Sequence, residues 1–226
     1  VDRRQRQMCI RDRYSANALL YTRPDRFLVL GDGQGRHNLW LTSGICNMEN
    51  DSTEQRAIWS ADGRYLAISC NREPGSDMIL TTVLDTQTGQ PQPLDLPVGE
   101  VLPHQWSPGA QRLLIRALNG SEWYVYDAET GRVDTLLSLR ESHAMAAWSP
   151  DGQRVALVGK HHDDQDAIIV VSYNGTQLRQ YVIQPVDGYE GLGGALQWSA
   201  DGRTLLFNRQ VMTETGSRIY EAIGLN

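Results

Sequence analysis

The segment Lys160-His-His-Asp-Asp-Gln-Asp166 is the densest cluster of potentially reactive side chains in this chain. Imidazole and carboxylate groups are ligands of zinc and other divalent metals, so His161, His162 and Asp163 are candidate ligands. Adjacent residues of an extended chain point to opposite sides, however, and the two histidines would then not meet on one ion. We therefore expect a polar, solvated loop with a possible binding role, and we predict no metal site.

The sequence contains none of the short strings that usually carry catalysis. It lacks the nucleophile elbow G-x-S-x-G, the zinc string H-E-x-x-H and the phosphate loop G-x-x-x-x-G-K-[ST]. The run Gly31-Asp-Gly-Gln-Gly35 resembles a phosphate cradle only superficially, since it opens no helix and lies between two predicted strands. We predict no catalytic residue and no cofactor.

Four further polar or aromatic residues are candidates for binding. His104 and His143 precede Trp106 and Trp148 by two and five residues, and Tyr189 and Glu190 lie in the glycine-rich connection Asp187-Gly-Tyr-Glu-Gly-Leu-Gly-Gly194. What these residues share is a place just ahead of a recurring tryptophan. Their positions therefore depend on the element that the tryptophan marks.

A repeat of an aromatic residue, a hydroxyl residue, a turn and an apolar run occurs five times. The anchors lie at positions 21, 59, 106, 148 and 198, so that the spacings are 38, 47, 42 and 50. Repeats of this length are typical of stacked structural units. The residues expected to build each unit are the anchors and the turn pairs, namely Tyr21, Trp59, Asp62, Gly63, Trp106, Trp148, Asp151, Gly152, Trp198, Asp201 and Gly202.

Each unit reads as four short strands joined by three turns. Asp-Gly pairs close the first hairpin, because both residues tolerate a positive φ, and a second hairpin ends on Gly or Asn-Gly. The third unit carries Pro108-Gly109-Ala110 in place of the Asp-Gly pair, and we expect its turn to differ in type.

The middle strands are continuous apolar runs, as in Val155-Ala-Leu-Val158 and Ile168-Ile-Val-Val171. A continuous run indicates a strand buried on both faces, which a lone sheet cannot achieve but a radial stack of sheets can. The predicted fold is all-β, a β-propeller of about five four-stranded blades over 14–226. The predicted blades cover about 14–52, 53–97, 98–141, 142–190 and 191–226.

The string W-S-[PA]-D-G followed by an apolar run resembles the repeat of TolB-like propellers, which are relatives of WD-repeat blades. The resemblance covers 18–226. It implies a six-bladed ring in the best-known member, a location outside the cytoplasm such as the periplasm, and a role in protein–protein contact. Related blades also form the gating propeller of prolyl-oligopeptidase-like serine peptidases.

In that family's geometry, the segments ahead of each tryptophan and the loops between second and third strands open on one face. The resemblance thus implies one candidate binding face, because loops on a rigid scaffold usually carry binding residues. The candidates on it are His104, His143, His161, His162, Asp163, Tyr189 and Glu190.

Both ends of the chain suggest a longer protein. Residues 1–13 hold five arginines and two aspartates without periodicity, and we interpret them as a non-native leader derived from a sequencing adapter, or as disordered. The last unit stops where its fourth strand should begin. We expect a fragment of a six- to eight-bladed ring, with a closed five-bladed ring as the alternative.

Composition narrows the choice of partner. The formal charge of −6 argues against a nucleic-acid surface, and no apolar stretch is long enough to span a membrane. No signal peptide is visible, and three cysteines are too few for a disulfide framework, although Cys46 and Cys70 could pair.

The first functional hypothesis is a monomeric, non-catalytic module that binds a protein or a peptide. The alternative is the gating propeller of a serine hydrolase. A weaker third is a propeller enzyme that would need its acids, Glu100, Asp187 and Glu190, to converge.

Overall fold

The computed structural model describes residues 19–22, 28–31, 39–41, 56–71, 78–94, 96, 99–118, 122–139, 142–160, 164–185, 187–211 and 218–225. These residues form eighteen β-strands and no helix, which confirms the all-β prediction. Within the same residues no helix is long and apolar enough to cross a membrane.

The strands form five antiparallel sheets, numbered here in chain order, and in each of them neighbours in sequence are neighbours in the sheet. The first sheet contains β1 (Leu19–Thr22), β2 (Leu28–Gly31) and β3 (Leu39–Leu41). The second contains β4 (Arg56–Trp59), β5 (Tyr65–Asn71), β6 (Ile79–Asp85) and β7 (Gln90–Pro93). The third contains β8 (Val101–Trp106), β9 (Arg112–Ala117), β10 (Glu122–Asp127) and β11 (Val133–Ser138).

The fourth sheet contains β12 (Ser142–Trp148), β13 (Arg154–Lys160), β14 (Asp166–Ser172) and β15 (Gln177–Val182). The fifth contains β16 (Tyr189–Trp198), β17 (Thr204–Val211) and β18 (Arg218–Gly224). The chain divides between Pro103 and His104 into two compact units, and the division falls within β8. The predicted leader and Cys46 lie outside the described residues.

In the first unit, the middle strands of the second sheet supply the buried apolar residues, among them Leu66 and Leu84. Its last strand, β7, is exposed at every position and contains two prolines, Pro91 and Pro93. Proline has no N–H to donate, so this edge is a poor template for pairing with another chain.

In the second unit, the fourth sheet is buried on both faces, as the continuous apolar runs predict. Trp148, Val155 and Leu157 pack into a core shared with residues of the third sheet. The alternating neighbours Ala147, Ala156 and Val158 pack into a separate core shared with the fifth sheet. The two-residue period of a strand sends successive side chains to opposite faces, so every residue of such a strand is needed for packing.

The repeated tryptophans also join neighbouring sheets by hydrogen bonds. The indole Nε1 of Trp148 donates to the carbonyl oxygen of Gln105 at 3.2 Å, and the indole of Trp198 donates to that of Ala147 at 2.9 Å. Each acceptor is the residue just before the previous tryptophan. The contact therefore repeats in the same register from the third sheet to the fourth and from the fourth to the fifth.

The Ser-x-Asp-Gly turn joins the first two strands of the fourth sheet. The Ser149 hydroxyl donates to Asp151 at 2.5 Å, and its oxygen accepts from the backbone N–H of Arg154 at 2.9 Å. The hydrogen bond from Ser149 holds the pKa of the Asp151 carboxyl below its usual value. Gly152 follows with φ of 65°. Ser60 and Ser199 make the same contacts with Asp62 and Asp201.

The third sheet closes its first hairpin with the same turn, so the expectation of a different turn type is wrong. The N–H of Ala110 donates to the carbonyl of Ser107 at 2.9 Å, as Gly152 does to Ser149. Ala110 has φ of 61°, in the left-handed region that glycine occupies in the other turns. The backbone hydrogen bonds thus impose the turn although the sequence carries no Asp-Gly there.

Candidate functional site

A cleft of about 270 Å³ opens between the fourth and fifth sheets. It lies where β13 ends, β14 begins, β15 has ended and β16 begins. We call it the Asp166 cleft, and it is lined by Lys160, Asp164, Gln165, Asp166, Ile183, Pro185, Tyr189 and Glu190. Two predicted binding residues, Tyr189 and Glu190, lie in this lining.

Asp166 is the buried centre of the cleft. Its side chain is 1% exposed, and its Oδ1 lies 2.8 Å from the Lys160 ammonium. Its Oδ2 accepts a hydrogen bond from the Tyr189 hydroxyl at 2.5 Å. A buried carboxylate is tolerated when it is both paired and hydrogen-bonded, and Asp166 satisfies both conditions.

Tyr189 links the fifth sheet to this buried carboxylate. Burial, followed by the hydrogen bond to Asp166, raises the pKa of the Tyr189 hydroxyl far above its usual value, so it remains a donor at neutral pH. The Arg209 guanidinium lies 5.7 Å from the centre of the Tyr189 ring and pairs with Glu221 at 2.7 Å. The ring is thus fixed from both sides.

The rim of the cleft is acidic, and part of its wall is apolar. Asp164 and Glu190 are exposed, and Asp164 has φ of 59°. Ile183 is buried, and its N–H donates to the carbonyl of Asp166 at 2.8 Å. The lining carries three carboxylates and one ammonium, which gives a formal charge of −2 (one positive minus three negative).

The glycine-rich connection expected ahead of Trp198 is the first half of strand β16. The pairing of β16 with β17 is irregular between Leu192 and Leu196. The Asn208 side chain fills this irregularity and accepts from the N–H of Ala195 at 3.0 Å. A Cβ at Gly193 would lie 2.5 Å from the Asn208 amide nitrogen, so the close approach requires glycine. This packing fixes the strand that carries Tyr189 and Glu190.

His104 lies away from the cleft, in the contact between the third and fourth sheets. Its Nε2 is 3.0 Å from the carbonyl oxygen of Ala146, and its ring meets the buried Trp123 edge to face at 5.0 Å between centroids. These contacts are those of a packing residue. Its binding role stays a prediction.

The remaining candidates are only partly covered by the described residues. His143 lies in β12, and its side chain is not described. His161, His162 and Asp163 lie outside the described residues. Within the described part of the chain, no three His, Cys, Asp or Glu side chains group as a metal site would require.

Reasoning from the sequence missed Arg209 and the central role of Asp166. Lys160 and Asp166 stand directly opposite each other in the register of β13 and β14. Two opposite charges at equal distances from the centre of a hairpin predict a cross-strand ion pair, so this contact was accessible from the sequence. The contact of Asp166 with Tyr189 was not, because it depends on how two sheets pack.

Comparisons with known proteins identify similar chains at the level of sequence and of fold. No family model matches the chain. The Tol-Pal system protein TolB of Alcanivorax borkumensis is 32% identical over 79 residues, which are 35% of this chain and 17% of TolB. The match therefore spans well under a fifth of that relative.

Among solved structures, the putative TolB from Agrobacterium tumefaciens aligns with a TM-score of 0.56 at 18% identity, over 92% of this chain and 73% of that one. The tricorn protease aligns with a TM-score of 0.56 at 14% identity, over 86% of this chain and 18% of the protease. At these identities the structural matches establish the fold. The chain has the β-propeller fold and is similar to TolB in both sequence and structure.

Proposed function

We propose that this chain is a non-catalytic, TolB-like propeller module that binds another protein or a peptide outside the cytoplasm, as a monomer. The observation that carries the proposal is the sequence similarity to TolB, a Tol-Pal system protein, on top of the shared fold. Fold by itself does not fix function, so the match in sequence has the greater weight.

The Asp166 cleft supports the proposal by its construction. Its lining comes mainly from strand ends held by cross-sheet packing, and rigid elements position binding groups better than mobile loops do. The cleft is also smaller than most small-molecule sites, which run from roughly 300 to 1,000 Å³. A site of this size suits one side chain of a larger partner.

The alternative, a gating propeller of a serine hydrolase, draws on the similarity to the tricorn protease. That similarity is one of fold at 14% identity. The TolB similarity extends to the sequence, and we therefore prefer the binding module.

The proposal is tested with purified proteins. The chain is titrated by calorimetry with each of the Tol and Pal proteins of its source organism. We expect saturable binding to at least one of them, and Glu190→Gln should weaken it while Glu129→Gln, in the turn after β10, should not. Absence of binding to every one of them, or turnover of peptide or ester substrates by the purified chain, would contradict the proposal.

A further inference from the structure

We infer that the Asp166 cleft receives a basic side chain, Arg or Lys, from the bound partner. This inference rests on the proposed function and names the chemistry of the partner at one site. It follows from the charge, the shape and the internal ion pairs of the cleft.

The charge of the lining favours a cation. Lys160 is the lining ammonium, and it lies 2.8 Å from Asp166, so that these two charges balance. Arg209 stands behind Tyr189 but is balanced in turn by Glu221 at 2.7 Å. What remains at the rim are the two exposed carboxylates, Asp164 and Glu190. A concave site of one sign attracts the opposite sign more strongly than a flat surface does, because its walls exclude water.

The shape of the cleft fits the two-part nature of a basic side chain. Long basic residues lay an apolar stem along apolar surface and keep the charged head near polar groups. Ile183 and Pro185 line one part of the cleft, and the carboxylates of Asp164 and Glu190 line another. The volume of about 270 Å³ is the share of roughly nine water molecules, which is room for one side chain.

The chain's own contacts at this site show the chemistry that the site accepts. An ammonium already meets a carboxylate between Lys160 and Asp166, and a guanidinium meets one between Arg209 and Glu221. A divalent ion is disfavoured because calcium takes six to eight oxygen ligands, and no described trio of acidic, His or Cys side chains groups as a metal site.

The test is an NMR titration of the isotope-labelled chain with four blocked tripeptides, acetyl-Gly-X-Gly-amide. X is arginine, lysine, glutamate or norleucine, the last being an uncharged analogue of lysine. We expect saturable shifts of the backbone amides of Gln165, Tyr189 and Glu190 with the arginine and lysine peptides. The glutamate and norleucine peptides should leave the same amides in place, and 0.5 M salt should weaken the basic peptides.

Variants locate the effect. Glu190→Gln should weaken binding of the arginine peptide about two- to fivefold, as expected for an exposed ion pair. Glu129→Gln is the matched control, an equal change of charge at an exposed turn, and should leave the affinity unchanged. Binding of the glutamate or norleucine peptide with equal affinity, no response to any basic peptide, or unchanged affinity in Glu190→Gln would overturn the inference.

The two proposals fail separately. If a Tol or Pal protein binds but the basic peptides do not, the module stands and the basic side chain is wrong. If the basic peptides bind at the cleft and no Tol or Pal protein binds, the chemistry of the site stands and the proposed function fails.

Discussion

Single residues in this chain carry structural costs that the sequence pattern conceals. Ala110 takes a left-handed backbone conformation in a turn that the other repeats build with glycine. Asp166 is a carboxylate almost without solvent contact, stabilised by an ammonium from one strand and a phenol from another sheet. Both positions make predictions about the free energy of unfolding.

Replacing Ala110 with glycine should stabilise the protein. The left-handed conformation costs a residue with a Cβ about 1–2 kcal/mol, whereas glycine adopts it freely. Part of this gain is offset because glycine is more flexible when unfolded, so we expect Ala110→Gly to raise the free energy of unfolding by about 1 kcal/mol in urea denaturation. The reciprocal change Gly152→Ala has open space for its Cβ, with Pro108 at 3.7 Å, and should lower it by a similar amount. Equal stability of wild type and both variants would show that the turn is not strained.

Removing the Asp166 carboxylate should destabilise the second unit. Asp166→Ala leaves the Lys160 ammonium and the Tyr189 hydroxyl without their partner, and hydrogen bonds to charged groups contribute about 1.5–3 kcal/mol. Lys160 is 24% exposed and can turn towards water, so we expect a loss of about 2–3 kcal/mol. The double variant Lys160→Met with Asp166→Leu should lose less than Asp166→Ala alone, because it leaves no unpaired charge. A double variant that is less stable than the single one would contradict this account.

At the scale of the elements, the strands of the fourth sheet are shared between two cores. Alternate residues of β12, β13 and β14 face the third sheet or the fifth, and the repeated tryptophan closes each contact. Arg154 reinforces the second contact, since it donates to the carbonyl of Gly202 at 2.9 Å and its guanidinium lies 4.8 Å from the Trp198 ring. A disturbance of one sheet should therefore be felt in the next.

Truncating Trp148 should have the effect of a large core deletion. Trp148→Ala removes a buried ring and its hydrogen bond to Gln105, and we expect a loss of about 3–5 kcal/mol in the free energy of unfolding. Trp148→Phe keeps most of the packing and should lose less. Leu178→Ala, at an exposed position of β15, is the control and should stay within about 0.5 kcal/mol of wild type. A melting temperature of Trp148→Ala equal to that of wild type would sink the claim that tryptophans hold the sheets together.

At the scale of the whole molecule, the sequence predicts the fold better than the site. The fold follows from the spacing of the tryptophans and from apolar runs such as Val155 to Val158, which demand burial on both faces. The turn at Ala110 could not be predicted, because its conformation is imposed by backbone hydrogen bonds and not by its own preference. Tyr189 and Glu190 were identified as candidates, but their contact with Lys160 and Asp166 depends on the packing of two sheets.

The described part of the binding face is therefore narrower than the predicted one. The cleft gathers Tyr189 and Glu190 with the two ends of the β13–β14 hairpin, whereas His104 packs against Trp123. Binding roles for His143, His161, His162 and Asp163 remain predictions.

The central claim is that this propeller binds a protein partner through the Asp166 cleft. Hydrogen–deuterium exchange of the chain, measured with and without the Tol and Pal proteins of its source organism, tests it most directly. We predict slower exchange, with at least one of these proteins, in peptides that cover 164–166 and 183–190, and no change in the Ser-x-Asp-Gly turns at Asp151 and Asp201. Slower exchange confined to those turns, or no change anywhere in the chain with any of these proteins, would contradict the account.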